Sequence, residues 1–203
     1  MNAIERDLNA VRAIGWKGES PKTKILFKKG SLPVKKRIVL GLGASRPSKQ
    51  YSLEYFARAS RLLKNDYELI FNHDSENLLK QNSFWQKELS KYGNFLITKD
   101  LNSLMSLLSS AEMYVGSDSG VKHLAIALGV KTLTLFGPES IGEWHCYDQN
   151  EHPVLQIDMA CRNNDPSDKK FAWCGEFQCP HGSHACMNLL LPEEVVAVIK
   201  KTL

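Results

Sequence analysis

The chain has 203 residues, enough for one domain of ordinary size or a domain with an appendage. Its 43% hydrophobic and 24% charged content excludes a disordered or fibrous chain, and no apolar run approaches the length that spans a bilayer. The net charge of +4 is unevenly spread: residues 1–37 hold ten Lys or Arg against three acids, and the remainder is slightly acidic.

The basic tract at 1–37 contains Lys17 to Lys36 with Pro21, Gly30 and Pro33, a linker-like composition. It reads either as a solvated linker or as a contact for an anionic surface such as lipid headgroups. Aromatic residues are almost missing from it, so nucleic acid is not an expected partner. The N-terminus has no continuous apolar stretch of the signal-peptide kind, which makes a cytoplasmic location the expectation, with peripheral attachment at a membrane's inner face as a variant of it.

From Arg37 onward, strand and helix patterns alternate. Arg37 to Gly43 is an apolar run of strand length. Leu53, Phe56, Ala57, Leu62 and Leu63 approximate helical spacing, with Ser52 as N-cap. Tyr67 to Phe71 predicts a strand, Glu76 to Tyr92 a helix broken near Asn82-Ser83, and Asn94 to Thr98 another strand. Asp100 is placed to cap a helix carrying Leu101, Leu104, Met105 and Leu108. Met113 to Val115, Thr132 to Phe136 and Val154 to Ile157 complete the strands. Pro192 opens a last helix whose stripe of Val195, Val196 and Ile199 either packs on its own sheet or is left exposed to a partner. Apolar strands alternating with helices predict an α/β fold, a Rossmann-like parallel sheet with helices on both faces.

Ligands of such sheets bind beyond the carboxyl ends of the strands. The turns at Gly43 to Lys49, Asn72 to Glu76, Gly116 to Gly120 and Gly137-Pro138-Glu139 all fall on that edge. The most informative of them is Asp118-Ser119-Gly120-Val121-Lys122-His123, between a strand end and a short helix closed by Gly129. Ser119 and Gly120 fall at the helix start, where unpaired N–H groups and the helix dipole favour an anion. His123 lies one turn in, on a side chain that leans back toward the same end. A plainer reading has Asp118 as a helix cap and His123 as an ordinary half-buried residue. Other nucleotide signatures fail: Gly41 and Gly43 are two of the three glycines of a dinucleotide fingerprint, and no phosphate-loop lysine motif or D-x-D metal pair is present.

These residues, with Phe136-Gly137-Pro138, resemble the donor-binding motif of glycosyltransferase family 9, the lipopolysaccharide heptosyltransferases. That family carries a D-[ST]-G-x-x-H turn after one strand and F-G-P at the end of the next. Ile38 to Ser45 followed by Lys49 is similar to the family's apolar strand, Gly-Ala-Ser turn and basic residue, although Gln50-Tyr51-Ser52 stands where the family has Trp-Pro. Cys174-x4-Cys179-Pro180-x5-Cys186-Met187, then Leu191-Pro192-Glu193-Glu194-Val195, resembles the cysteine-bearing end of many members. The resemblance implies one half of a GT-B fold: residues 38–203 as the nucleotide-sugar-binding domain, with a cysteine-containing segment at 158–187, and residues 1–37 as a linker and the remnant of a preceding acceptor-binding domain.

The activity so implied is transfer of a heptose or related sugar from a nucleotide diphosphate, ADP by preference, to a lipopolysaccharide core acceptor. A second reading is a catalytically inert donor-binding module that needs a partner chain with the acceptor half. In either, the base that activates the acceptor belongs to the other half, and no catalytic cofactor is expected. Lys49 would stabilise the diphosphate leaving group, since a fixed ammonium gains most from charge that develops in the transition state. Ser45 could donate to the same phosphates, with Arg46 a weaker candidate. Glu76, or Asp74 beside it, would accept from ribose hydroxyls. Asp118 would face the sugar, because an unpaired carboxylate is repelled by phosphate. Ser119 and Gly120 would offer N–H groups, and His123 would support sugar or phosphate.

Cys161, Cys174, Cys179 and Cys186 fall close together with His152, His181 and His184 nearby, while Cys146 stands apart. Four thiolates, or three with a histidine, suit a tetrahedral structural zinc; free thiols packed in a loop and disulfides are the alternatives, the last disfavoured in a reducing compartment.

Overall fold

The protein is described from a computed structural model that covers residues 1–20, 23–27, 36–73, 83–162 and 171–203. Among the described residues six strands are seen: β1 (Arg37–Gly41), β2 (Glu68–His73), β3 (Asn94–Ile97), β4 (Met113–Ser117), β5 (Lys131–Phe136) and β6 (Val154–Gln156). They form one sheet in the order β3-β2-β1-β4-β5-β6, and every pairing is parallel. All six follow the apolar runs of the sequence to within two residues at either end.

Parallel strands need crossover helices, and these cover both faces. Alternation along β1 shows the division. Ile38 and Leu40 join the core formed with α2 (Leu53–Leu63) and α8 (Pro192–Thr202), while Val39 joins Tyr114, Leu107, Leu108 and Ala125 under α4 (Leu101–Ser109) and α5 (Gly120–Ala127). Asp100 caps α4 as expected, accepting from Ser103 N–H at 2.8 Å in a reciprocal capping box. Ser52 is the N-cap residue of α2, as expected, although its side chain makes no capping bond.

The helix expected over Glu76 to Tyr92 is seen as α3 (Ser83–Leu89); residues 74–82, including Asp74 and Glu76, lie outside the described residues. Short helices α6 (Ile141–Trp144) and α7 (Ala185–Asn188) complete the domain. The stripe on α8 is not exposed. Val195, Val196 and Ile199 are buried against α2 and the sheet, and Tyr51, itself fully buried, donates to the Leu190 carbonyl at 2.8 Å just before the helix.

The N-terminal helix α1 (Ala3–Ala13) contributes no buried residue and meets the domain through an Arg6–Glu143 ion pair at 2.8 Å. Further along, Ile25 N–H bonds to the Ala127 carbonyl at 2.7 Å and Phe27 packs beside α5, so this part of the basic tract rests on the domain.

Candidate functional site

The strand order reverses direction between β1 and β4, and the loops leaving their carboxyl ends part there into a crevice. Gly41 and Gly116 are register partners across that junction. A Cβ on either would overlap the Tyr114 hydroxyl, so both glycines make room for a buried tyrosine beneath the crevice floor. Its hydroxyl is hydrogen-bonded to Ser119, and burial pushes its pKa up to about 12. A cleft of about 440 Å³ opens above, lined by Ser45, Asn72, His73, Asp100, Tyr114 and Ser119 among others. Asn72 is held by its own amide, which donates to the Leu96 carbonyl at 3.0 Å and Thr98 Oγ1 at 3.1 Å.

Ser119 is the N-cap of α5 and Gly120 its first residue, as expected, and a Cβ placed on Gly120 would meet no protein atom. Asp118 is not the cap. Its carboxylate instead takes part in a row of five alternating charges. Arg46 pairs with Glu139; Glu139 lies 3.1 Å from Lys49 Nζ; Lys49 Nζ is 3.4 Å from Asp118 Oδ2; and Asp118 Oδ1 is 2.6 Å from Lys122 Nζ. The five side chains come from the turn after β1, the turn after β5 and the start of α5. None is more than a fifth exposed, and Lys122 is fully buried.

Lys49 is placed by a single turn of 3-10 helix, Pro47–Lys49, in which proline fixes the first backbone angle. Glu139 and Lys122 were not singled out in the sequence. The Asp118-to-Lys122 spacing of four residues on a helix was the available signal for one. Glu139 had none beyond its place after Gly137-Pro138.

His123 faces the same region. Its Nδ1 is 2.6 Å from the Tyr147 hydroxyl, which leaves Nε2 as the nitrogen available to a ligand. Tyr147 also meets the rings of His145 and His152 edge-on. Burial, with the Lys122 charge next in weight, lowers the pKa of both His123 and His145 to about 4. His123 is therefore neutral near pH 7, a donor or acceptor rather than a cation.

The cysteine segment abuts this site. Cys161, Cys174, Cys179 and Cys186 line one cavity of about 450 Å³ with His181 and His184. Burial, with the neighbouring thiols next, raises the Cys186 pKa to about 11. The structure brings the four thiols around one space. Among the described residues, however, no group of three or more His, Cys, Asp or Glu is placed to share a metal ion, so the expected ligand set is not assembled in this arrangement. The segment braces both loops of the site. Ser48 N–H donates to the Phe177 carbonyl (3.1 Å), His184 Nε2 to the Ser48 carbonyl (2.7 Å), Cys174 N–H to the Pro138 carbonyl (2.7 Å), and Arg46 to the Gly175 carbonyl (3.3 Å).

No helix among the described residues is long and apolar enough to cross a membrane. A family model for glycosyltransferase family 9 (heptosyltransferase) matches residues 9–172. A lipooligosaccharide heptosyltransferase 2 of Campylobacter jejuni is 27% identical over 172 residues, covering 82% of this chain and 51% of the relative. The chain thus spans about half the length of the curated relatives it matches. Among solved structures, the family 9 glycosyltransferase of Veillonella parvula superposes with a TM-score of 0.71 at 14% identity, over 99% of this chain and 60% of that one. The ADP-heptose lps heptosyltransferase II of E. coli does so at 0.61 and 16% identity, over 83% and 46%. These two establish likeness of fold. With the family match covering most of the chain, the Asp118 turn and the Phe136-Gly137-Pro138 strand end in their places on the sheet, the chain belongs to glycosyltransferase family 9, the heptosyltransferase family.

Proposed function

We propose that this chain is the donor-binding half of an inverting heptosyltransferase, taking a heptose or related sugar from ADP and passing it to a lipopolysaccharide core acceptor. The observation that carries this is the position of Lys49. Its ammonium stands at the topological switch point beside the free N-terminus of α5, where the handed-over charge of a diphosphate would fall. The turn backbone at Ser119 and Gly120 would cradle the phosphates, with Ser45 donating from the opposite loop. Lys49, drawn from Glu139 to phosphate, would stabilise the leaving group as the sugar bond breaks. Asp118 would accept from sugar hydroxyls and His123 would offer Nε2 to sugar or phosphate. Glu76 is proposed for the ribose. ADP is favoured as the nucleotide because a solved relative of like fold is an ADP-heptose enzyme.

Inversion requires a base on the face of the sugar opposite the leaving group. We assign that base to the half of the relatives this chain does not match. The chain would act as an enzyme only when that half faces it, and as a donor-binding module otherwise; the half-length match favours keeping both readings. With a lipid-linked acceptor, the reaction would take place at the cytoplasmic face of the inner membrane. For the cysteine segment we propose structural zinc, the four thiols closing on the ion from around their shared cavity.

Calorimetry with ADP, UDP and GDP tests the donor site: heat with ADP and markedly weaker binding of the other two is expected. Absence of binding by all three removes the proposal. Turnover by the chain alone, measured with ADP-heptose and a core acceptor, would overturn the assignment of the base to another half.

A further inference from the structure

The fully buried Lys122 is out of reach of any ligand, yet it is charged machinery in an expensive place. Its ammonium donates to Asp118 Oδ1 at 2.6 Å and to the Trp144 carbonyl at 2.9 Å, and lies 4.8 Å from the Phe136 ring centroid. Burial pulls its pKa down while Asp118 pulls it back up. An apolar side chain of the same length would fill this space against Phe136 and avoid the desolvation cost. What it would lose is a positive charge behind the carboxylate that ends β4.

That carboxylate sits where, on the donor-site reading on which this inference rests, two phosphates must also fit. Lys49 reaches it at 3.4 Å but is shared with Glu139 and is needed by the ligand. We propose that Lys122 is a positioning residue of the donor site: from inside the protein it fixes Asp118 Oδ1 and offsets its charge, so that Asp118 remains beside a diphosphate with Oδ2 turned outward. When Lys49 moves to phosphate, Lys122 is the counter-charge that stays.

The groups that face Asp118 are known from every neighbouring element. Lys49, with Glu139 beyond it, comes from the turns after β1 and β5, His123 is on α5 and Tyr147 follows α6, while His145 and Cys146 beside it face Lys122. Because the Lys122 charge also bears on His123 and His145, the comparison is made at pH 8, well above the titration of either imidazole.

The test is calorimetry of ADP, with adenosine as the phosphate-free control, on the full chain carrying Lys122→Met and on the double variant Lys122→Met/Asp118→Asn, at pH 8. Lys122→Met should weaken ADP at least tenfold. Adenosine should be unaffected. The double variant should recover ADP binding to within about threefold of wild type, because neither charge remains. Equal ADP affinity in wild type and Lys122→Met overturns the inference, as does an equal loss of ADP and adenosine without recovery in the double variant. If circular dichroism shows that the single variant does not fold, the double variant decides: near-wild-type ADP affinity supports the inference and its loss overturns it. A wild type that binds no ADP overturns the donor-site reading itself, and this inference with it.

Discussion

The Lys49 ammonium lies 3.1 Å from the Glu139 carboxylate, so the cation proposed to receive a diphosphate is already engaged by a side chain of the same protein. Arg46 pairs with the same carboxylate oxygen. A ligand phosphate must therefore displace Glu139 or share its partners. Removing that competitor, as in Glu139→Gln, is expected to tighten ADP binding several-fold, since a part-buried ion pair of this kind is worth on the order of 1 kcal/mol. Calorimetry at low and moderate salt measures it; unchanged or weaker ADP binding would place Glu139 on the ligand's side instead.

Lys49 itself should matter more. A charge-assisted hydrogen bond contributes roughly 1.5–3 kcal/mol, so Lys49→Met is expected to weaken ADP about 10- to 100-fold while leaving adenosine binding alone. A variant with wild-type ADP affinity would remove Lys49 from the phosphate site.

Acid should destabilise the fold through its histidines. His123 and His145 have folded pKa values of about 4, against about 6.5 for a free imidazole, and His152 is lowered in the same direction by burial. Below about pH 6.5 the unfolded chain takes up protons that the folded chain refuses, so stability is present above that pH and falls as pH drops toward about 4. The expected loss is on the order of 1 kcal/mol for a buried imidazole by pH 5. Thermal melts across pH 4–8 check this, and His145→Phe should flatten the slope.

Ile199 is fully buried between α8 and α2. Ile199→Ala is expected to cost about 2–5 kcal/mol of stability, read from urea unfolding. A loss under 1 kcal/mol would mean that α8 packs less closely than described.

The cysteine segment makes a double prediction. Purified protein should carry close to one zinc per chain on the proposal above, and stripping it should weaken ADP binding as well as stability, because Phe177, His184, Cys174 and Gly175 hold the donor loops. Metal analysis after chelator-controlled purification reads the first half; protein without metal but with wild-type stability would leave the four residues as packed thiols.

The strands were legible because parallel strands covered on both faces are apolar along their whole length, and Ile38–Leu40 or Leu133–Phe136 shows that without ambiguity. The turn at Asp118 was legible for a different reason: its spacing from strand end to helix start is local. What could not be read is whatever depends on which loops meet. Glu139 lies ninety residues from Lys49 in sequence, and only the sheet order brings the turns after β1 and β5 together. The Tyr147 contact with His123 comes from an irregular stretch after α6 that has no period to read. The four cysteines line one cavity, but ligation geometry is decided by rotamers that spacing does not specify.

The alternation of sign from Arg46 to Lys122 also constrains how the sequence can drift. Loss of Glu139 takes this partner from Arg46, and loss of Asp118 takes it from Lys122, so substitutions tolerated along this row should arrive in compensating pairs, and the identity of residue 139 should covary with that of residue 46 or 49 among descendants of this gene.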